Sequence, residues 1–116
     1  MKNPSRGEVW LVDLNPVRGH EQEGERRPCL IVSANGFNQG ASGLVIVAPI
    51  TKTPRSIPTH IHIGTTESGL DFDSMVQCDQ IRSVSVDRLR NRIGNQLPGK
   101  VMMKIEDTLK ILLNLR

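Results

Sequence analysis

The chain has 116 residues, the size of one small domain, with 37% of them apolar and 23% charged, which excludes a disordered or collagen-like protein. Folding a chain of this length buries roughly 66% of its extended surface, enough for one modest core and not two. The net charge of +3 permits a polyanionic partner without requiring one, the apolar runs are too short to span a membrane, and residues 1–7 lack a signal-like apolar stretch, so the expected location is the cytoplasm.

Short apolar runs separated by Gly, Pro and Asn dominate the first two thirds of the chain. Residues 7–14 read as a first strand, stopped by Asn15-Pro16. Residues 29–34 form a second, led in by Pro28 and ended by the turn pair Asn35-Gly36. Residues 44–50 are β-branched and almost wholly apolar, which predicts a central third strand. Residues 59–63 alternate, with Ile61 and Ile63 on one face and His60 and His62 on the other. A fifth strand covers 74–79, residues 81–86 extend or follow it, and 86–89 suit a single helical turn. The period then changes: Val101, Met102, Ile105, Leu109, Leu112 and Leu113 recur at spacings of three and four, one apolar stripe on a closing helix whose first turn suits Pro98. Five or six short antiparallel strands and one carboxyl-terminal helix make a mainly-β (α+β), small half-open barrel over residues 1–116, a single domain.

Cys29 and Cys78 sit among apolar residues with no CxxC and no zinc-type Cys-His spacing, and read as buried free thiols. Trp10, Phe37 and Phe72 are the only aromatics, too few for a platform that binds single strands by stacking. Ten of the fifteen cations are arginine, which grips a phosphate with two parallel hydrogen bonds where lysine acts as a point charge.

Strand direction gathers polar residues at one end. If the second and third strands pair antiparallel, Arg27 and Pro28 at the start of one face Thr51 at the end of the other. The loops 18–26 and 52–58 open at the same mouth, the fourth strand leaves it near Pro58 and His60, and the fifth returns to it with Asp79, Gln80 and Arg82. The mouth then collects Arg18, Arg26, Arg27, Arg55 and Arg82, with Lys52, Thr51, Gln22, Gln80 and His60. Taken singly, Arg27 also suits a strand-end surface arginine, Thr51 a strand terminator, His60 and His62 the polar face of a half-buried strand, and residues 21–27 a solvated loop.

Such a mouth suits some chemistries and not others. Glu21, Glu23 and Glu25 alternate with other residues ahead of Arg26 and Arg27 and do not cluster as a hard-cation site would. No G-x-S-x-G elbow, Walker loop or G-x-G-x-x-G run is present. An RNA phosphodiester asks for less, because its own 2′-hydroxyl is the nucleophile. Cleavage then needs an acceptor for that proton, cationic donors for the phosphoryl oxygens and a proton for the departing 5′-oxygen.

At these residues the chain resembles the MazF/PemK family, the toxins of bacterial type II toxin–antitoxin pairs. The resemblance is carried by Arg6-Gly7-Glu8-Val9-Trp10 and the run on to Asn15-Pro16, by Gly19-His20-Glu21-Gln22, and by Arg26-Arg27-Pro28-Cys29. It continues through Pro49-Ile50-Thr51, Pro58-Thr59-His60-Ile61, Asp79-Gln80-Ile81-Arg82 and the closing helix. It implies an SH3-like half-open barrel, dimeric, that cuts single-stranded RNA (mRNA) at short sequences without a metal or other cofactor, leaving 2′,3′-cyclic phosphate and 5′-hydroxyl ends and arresting growth. The family's catalytic arginine carries onto Arg27 and its threonine onto Thr51. Substrate-binding positions carry onto Glu21, Gln22, Pro28, Pro58, His60 and Gln80, with His60 an alternative proton acceptor. A cognate MazE-like antitoxin with a disordered, acidic tail is the implied protein partner.

The loop departs from the family pattern in carrying Glu23 and Glu25 around Gly24, and Asp79 stands where relatives have glutamate. Two competing readings use the same fold: a toxin that binds and inhibits DNA gyrase without chemistry, and an inactive relative that binds nucleic acid or sequesters antitoxin. The pair Arg27 and Thr51 favours the nuclease.

Overall fold

The apolar run ending at Thr51 becomes the longest strand and organises the others. In the computed structural model, which describes residues 2–116, β1 is Val9–Val12, β2 Arg27–Ile31, β3 Leu44–Thr51, β4 His60–Ile63, β5 Ser74–Gln77, β6 Arg82–Ser85 and β7 Leu89–Ile93. Two four-residue helices, α1 (Asn35–Asn38) and α2 (Thr65–Ser68), sit in the connections, and α3 (Gly99–Leu112) closes the chain. All pairings are antiparallel along the path β4-β5-β3-β2-β1-β7, with β6 joined to β3. No pairing joins β4 to β7 among the described residues, so the expected mainly-β, half-open barrel with a carboxyl-terminal helix is what forms.

β3 serves two partners along one edge. Its first half pairs with β6, Leu44 opposite Ser85 and Val47 opposite Arg82, and its end pairs with β5, Ile50 opposite Val76 and Thr51 opposite Met75. Residues 81–86 therefore do not extend the fifth strand. A 3-10 turn at Cys78–Gln80 ends β5 and sends the chain to the other half of β3. The helical turn expected near residue 86 is present as a 3-10 turn over Val86–Arg88.

The expected single core is corrected to two clusters. Side chains alternate across a strand, so the central strands feed both faces of the sheet. Val9, Leu30, Ala48 and Ile50 join Ile63, Val76 and the helix residues Val101, Met102 and Ile105. Trp10, Val12, Cys29, Ile31, Val45 and Val47 form the second cluster with Leu14, Val84 and Leu89. A curved sheet encloses one cluster and accepts a helix over the other, which is why β3 is apolar on both faces.

The expected five or six strands become seven, and two other expectations are revised. β7 gives no apolar signal, because only Leu89 is fully buried while Arg90, Asn91 and Arg92 are exposed, yet it pairs with β1. Charged residues on an edge strand discourage pairing with another chain. The helical stripe is only half used: Val101, Met102 and Ile105 are buried, while Leu112 and Leu113 are exposed. His60 is not on a solvated face; it is buried, and His62 alone is exposed. Among the described residues no helix is long and apolar enough to cross a membrane.

Candidate active site

β2 and β3 pair with Cys29 opposite Pro49 and Leu30 opposite Ala48, and Arg27 and Thr51 lie two residues beyond the last pair, at the facing ends of the two strands. Both line a cavity of about 310 Å³, together with Pro28, Lys52, Asp71 and Phe72. Thr51 is buried at the end of β3, and its Oγ1 accepts the Thr53 amide at 3.2 Å. Arg27 is half-buried at the start of β2, and its Nε donates to the Glu23 carbonyl at 3.2 Å. That contact folds the preceding loop back over the arginine. Gly24 makes the fold-back feasible: its φ is +138°, and a Cβ there would lie 3.4 Å from the Arg27 Cβ. The Gly24 carbonyl accepts the Leu14 amide at 2.8 Å, anchoring the loop to the end of β1.

Other predicted residues, though not Pro58 or His60, occupy a second region. Glu21, Gln22, Gln80, Asp79 and Arg82 line a cavity of about 210 Å³. Glu21, Gln22 and Gln80 also border a third cavity with Glu23, Arg55 and Gln77. Gln80 is a clamp: its Oε1 accepts the Gln22 amide at 3.1 Å and its Nε2 donates to the His20 carbonyl at 2.9 Å. Both ends of one amide thus hold the loop. The Glu21 carboxylate accepts the Arg18 amide and tightens the same turn.

The five arginines expected at one mouth do not gather as a group. Arg27, Arg82 and Arg55 line three different cavities. Arg82 donates to the Leu14 carbonyl at 3.1 Å, Arg26 turns to Asn91 of β7 at 3.3 Å, and Arg18 lines none of the three. His60 and Pro58 also line none of them. His60 instead packs with Nε2 3.2 Å from Asp79 Oδ1, at a side-chain exposure of 3%. Among the described residues no three His, Cys, Asp or Glu side chains are grouped to hold a metal ion.

Burial pushes the Cys29 thiol up to about 12, against the opposing pull of Arg27 and Arg82, whose charges lie near enough to be felt. Cys29 is therefore a neutral packing residue beneath the site and not a nucleophile. Sequence reasoning missed Phe72 and Asp71. Phe72 is 57% exposed, and Lys52 Nζ stands 4.5 Å from its ring centroid. The available signal was an aromatic flanked by Asp71 and Asp73, with no apolar period to bury it.

Residues 5–113 match the model of the family described as the PemK-like, MazF-like toxin of type II toxin-antitoxin system. The chain belongs to this family. Among its curated relatives, endoribonuclease MazF9 of Mycobacterium tuberculosis is 34% identical over 115 residues, covering 95% of this chain and 96% of the relative. Among solved structures, MazF of Deinococcus radiodurans superposes with a TM-score of 0.84 at 27% identity, covering 99% of this chain and 100% of that one. A mycobacterial endoribonuclease solved in complex with its cognate antitoxin has a TM-score of 0.76 at 27% identity, covering 100% and 98%. In this PemK/MazF-like chain, the family likeness spans all three cavities, since it runs from before β1 into α3.

Proposed function

We propose that the chain is the toxin of a type II toxin–antitoxin pair, an endoribonuclease that cuts single-stranded RNA at short sequences without a metal. The observation that carries this reading is the juxtaposition of Arg27 and Thr51 across the β2–β3 ladder in one cavity. Curated relatives named as endoribonucleases support the activity class.

The substrate supplies its own nucleophile. The 2′-hydroxyl oxygen bonds to phosphorus, its proton passes by way of a non-bridging phosphate oxygen, and the bond to the 5′-oxygen breaks as that oxygen takes up a proton. The products are a 2′,3′-cyclic phosphate and a 5′-hydroxyl. Arg27 serves as the phosphate electrophile and proton mediator, its planar guanidinium matching two phosphoryl oxygens at once. Thr51 donates a hydrogen bond to the scissile phosphate. DNA lacks the nucleophile and is not cut.

Glu21, Gln22, Pro28 and Gln80 form the walls along which the strand lies. Pro58 and His60 act at one remove, Pro58 by leading into β4 and His60 by holding Asp79. A cognate antitoxin with an acidic tail occupies the same cationic surface, a reading supported by the mycobacterial relative solved with its antitoxin. The active form is a homodimer acting in the cytoplasm.

Incubation of the purified protein with a long unstructured RNA and EDTA tests this reading. Fragments with 5′-hydroxyl and cyclic-phosphate ends are expected, and Arg27→Ala is expected to produce them far more slowly. Intact RNA alongside inhibition of gyrase supercoiling would replace the nuclease with the non-catalytic toxin.

A further inference from the structure

Phe72 is large, apolar and 57% exposed, and it stands on the wall of the cavity that holds Arg27 and Thr51. An exposed aromatic on a mobile loop would mean little, but this one is held in place. The Ser74 hydroxyl, on a buried residue, donates to the Phe72 carbonyl at 2.9 Å. The Ser68 carbonyl accepts the Asn95 amide at 2.7 Å, and the Ser68 hydroxyl accepts the Leu70 amide at 3.0 Å. At Gly94, with φ of +62°, an added Cβ would stand 2.4 Å from the Ser68 oxygen and 3.2 Å from Leu70 Cδ2. Ser68 and Leu70, which lead into Phe72, are therefore held against the end of β7, and Ser74 at the start of β5 ties the Phe72 backbone on its other side.

The chemistry around the ring is mixed in a specific way. Leu70 and Ile93 offer apolar surface, Lys52 and Arg27 offer cations for phosphate, and Asp71 offers a carboxylate on the same cavity. Asp71 has no ion-pair partner among the described residues. A flat apolar face, a cation and a free carboxylate together match a nucleotide.

We propose that Phe72 and Asp71 form a base-reading subsite for guanine, in the nucleotide next to the scissile phosphate; this rests on the nuclease reading above. The base stacks on Phe72, and Lys52 moves between the ring and the phosphate. The carboxylate selects the base. Guanine alone presents two adjacent donors, N1–H and N2–H, on its Watson–Crick edge, which two carboxylate oxygens accept together. Adenine and cytosine set a ring-nitrogen acceptor beside their amino group, and uracil sets carbonyls on both sides of N3–H. Each of these turns a lone pair toward Asp71.

Two measurements on the full chain test the subsite. The first titrates oligonucleotides made uncleavable by 2′-O-methyl groups, with one guanine, inosine or uracil in a uridine background. Guanine is expected to bind about tenfold more tightly than uracil, inosine between them, with Asp71→Asn removing the difference. Phe72→Ala is expected to weaken guanine binding by roughly 5- to 150-fold, the range for losing one base–aromatic stack, and Phe72→Trp to restore it. The second sequences the ends cut from a random RNA pool with EDTA, expecting guanine at one fixed position beside the cut, lost in Asp71→Asn. Equal affinities for the three oligonucleotides, or Phe72→Ala binding as wild type, overturns the subsite even if RNA is cut. An uncut pool with guanine still preferred overturns the nuclease reading and leaves the subsite standing.

Discussion

Arg27 and Thr51 close the open end of the β2–β3 ladder from opposite strands, one half-exposed and cationic, the other a buried hydroxyl. Their positions depend on backbone pairing two residues away, Cys29 against Pro49, and on Gly24 only through the loop that covers Arg27. The ladder sets the pair, and the loop sets access to it.

On the proposed mechanism, Arg27→Ala lowers cleavage by roughly a hundred- to a thousandfold, the usual loss for one donor to a developing oxyanion. Thermal unfolding should shift little, because the guanidinium makes one exposed hydrogen bond. Arg27→Lys keeps charge but loses the two-pronged grip and falls between. Thr51→Val should also lose cleavage, whereas Thr51→Ser retains much of it. Rates on a defined RNA, beside melting curves, check all four.

Gln80→Leu removes both hydrogen bonds that hold the loop at His20 and Gln22. Two partly exposed hydrogen bonds are worth about 1–2 kcal/mol together. The loop carries Arg18 and Arg26, so limited trypsin digestion reads its opening directly. Faster cleavage at those arginines is expected, with the barrel intact; an unchanged digestion rate would show that the clamp does not restrain the loop.

His60→Leu should destabilise the fold by about 1–2 kcal/mol, through loss of the Asp79 contact from a buried position. The pH–rate profile of RNA cleavage should keep its shape, because His60 is absent from the cavity that holds Arg27 and Thr51. A profile that loses its acidic limb would return His60 to the reaction as proton acceptor.

Both thiols are pushed above their ordinary value of 9.0, chiefly by burial, Cys29 to about 12 and Cys78, with a contribution from Asp79, to about 11. Above the unfolded value the unfolded chain releases thiol protons that the folded chain keeps, so unfolding becomes easier. The contribution is whole below pH 9.0 and is lost as pH climbs through about 11 and then about 12. The chain has no tyrosine to confuse that range. Urea midpoints should fall as pH rises above 9.0, less steeply in Cys29→Ala. Native protein should resist iodoacetamide at neutral pH.

How much of this was legible beforehand follows from the range of the interactions. Direction of travel along successive strands is a local property, and from it alone Arg27, Pro28 and Thr51 were expected together, as they are. The helix at Gly99–Leu112 was legible because its buried positions repeat every three or four residues. The same arithmetic overreached at Leu112 and Leu113, where the stripe continues beyond the sheet it packs on. β7 was illegible because an edge strand built from Leu-Arg-Asn-Arg-Ile buries little, and its place is set by β1.

Local order in the chain thus decided the identity of the apolar strands, their antiparallel pairing, the closing helix, the cysteines' apolar surroundings and one pair of residues at the strand ends. Tertiary contacts decided the rest: the switch of β6 to the far half of β3, the division of one expected core into two, and the dispersal of five arginines over separate walls. They also buried His60 against Asp79 and put Phe72, remote in sequence, beside Arg27. Those outcomes depend on how far the sheet curves and on which side chain finds a partner across it, energies that arise only between residues tens of positions apart. A weak charge of +3 told little about partners; the placement of Arg27, Lys52 and Asp71 around one cavity tells considerably more.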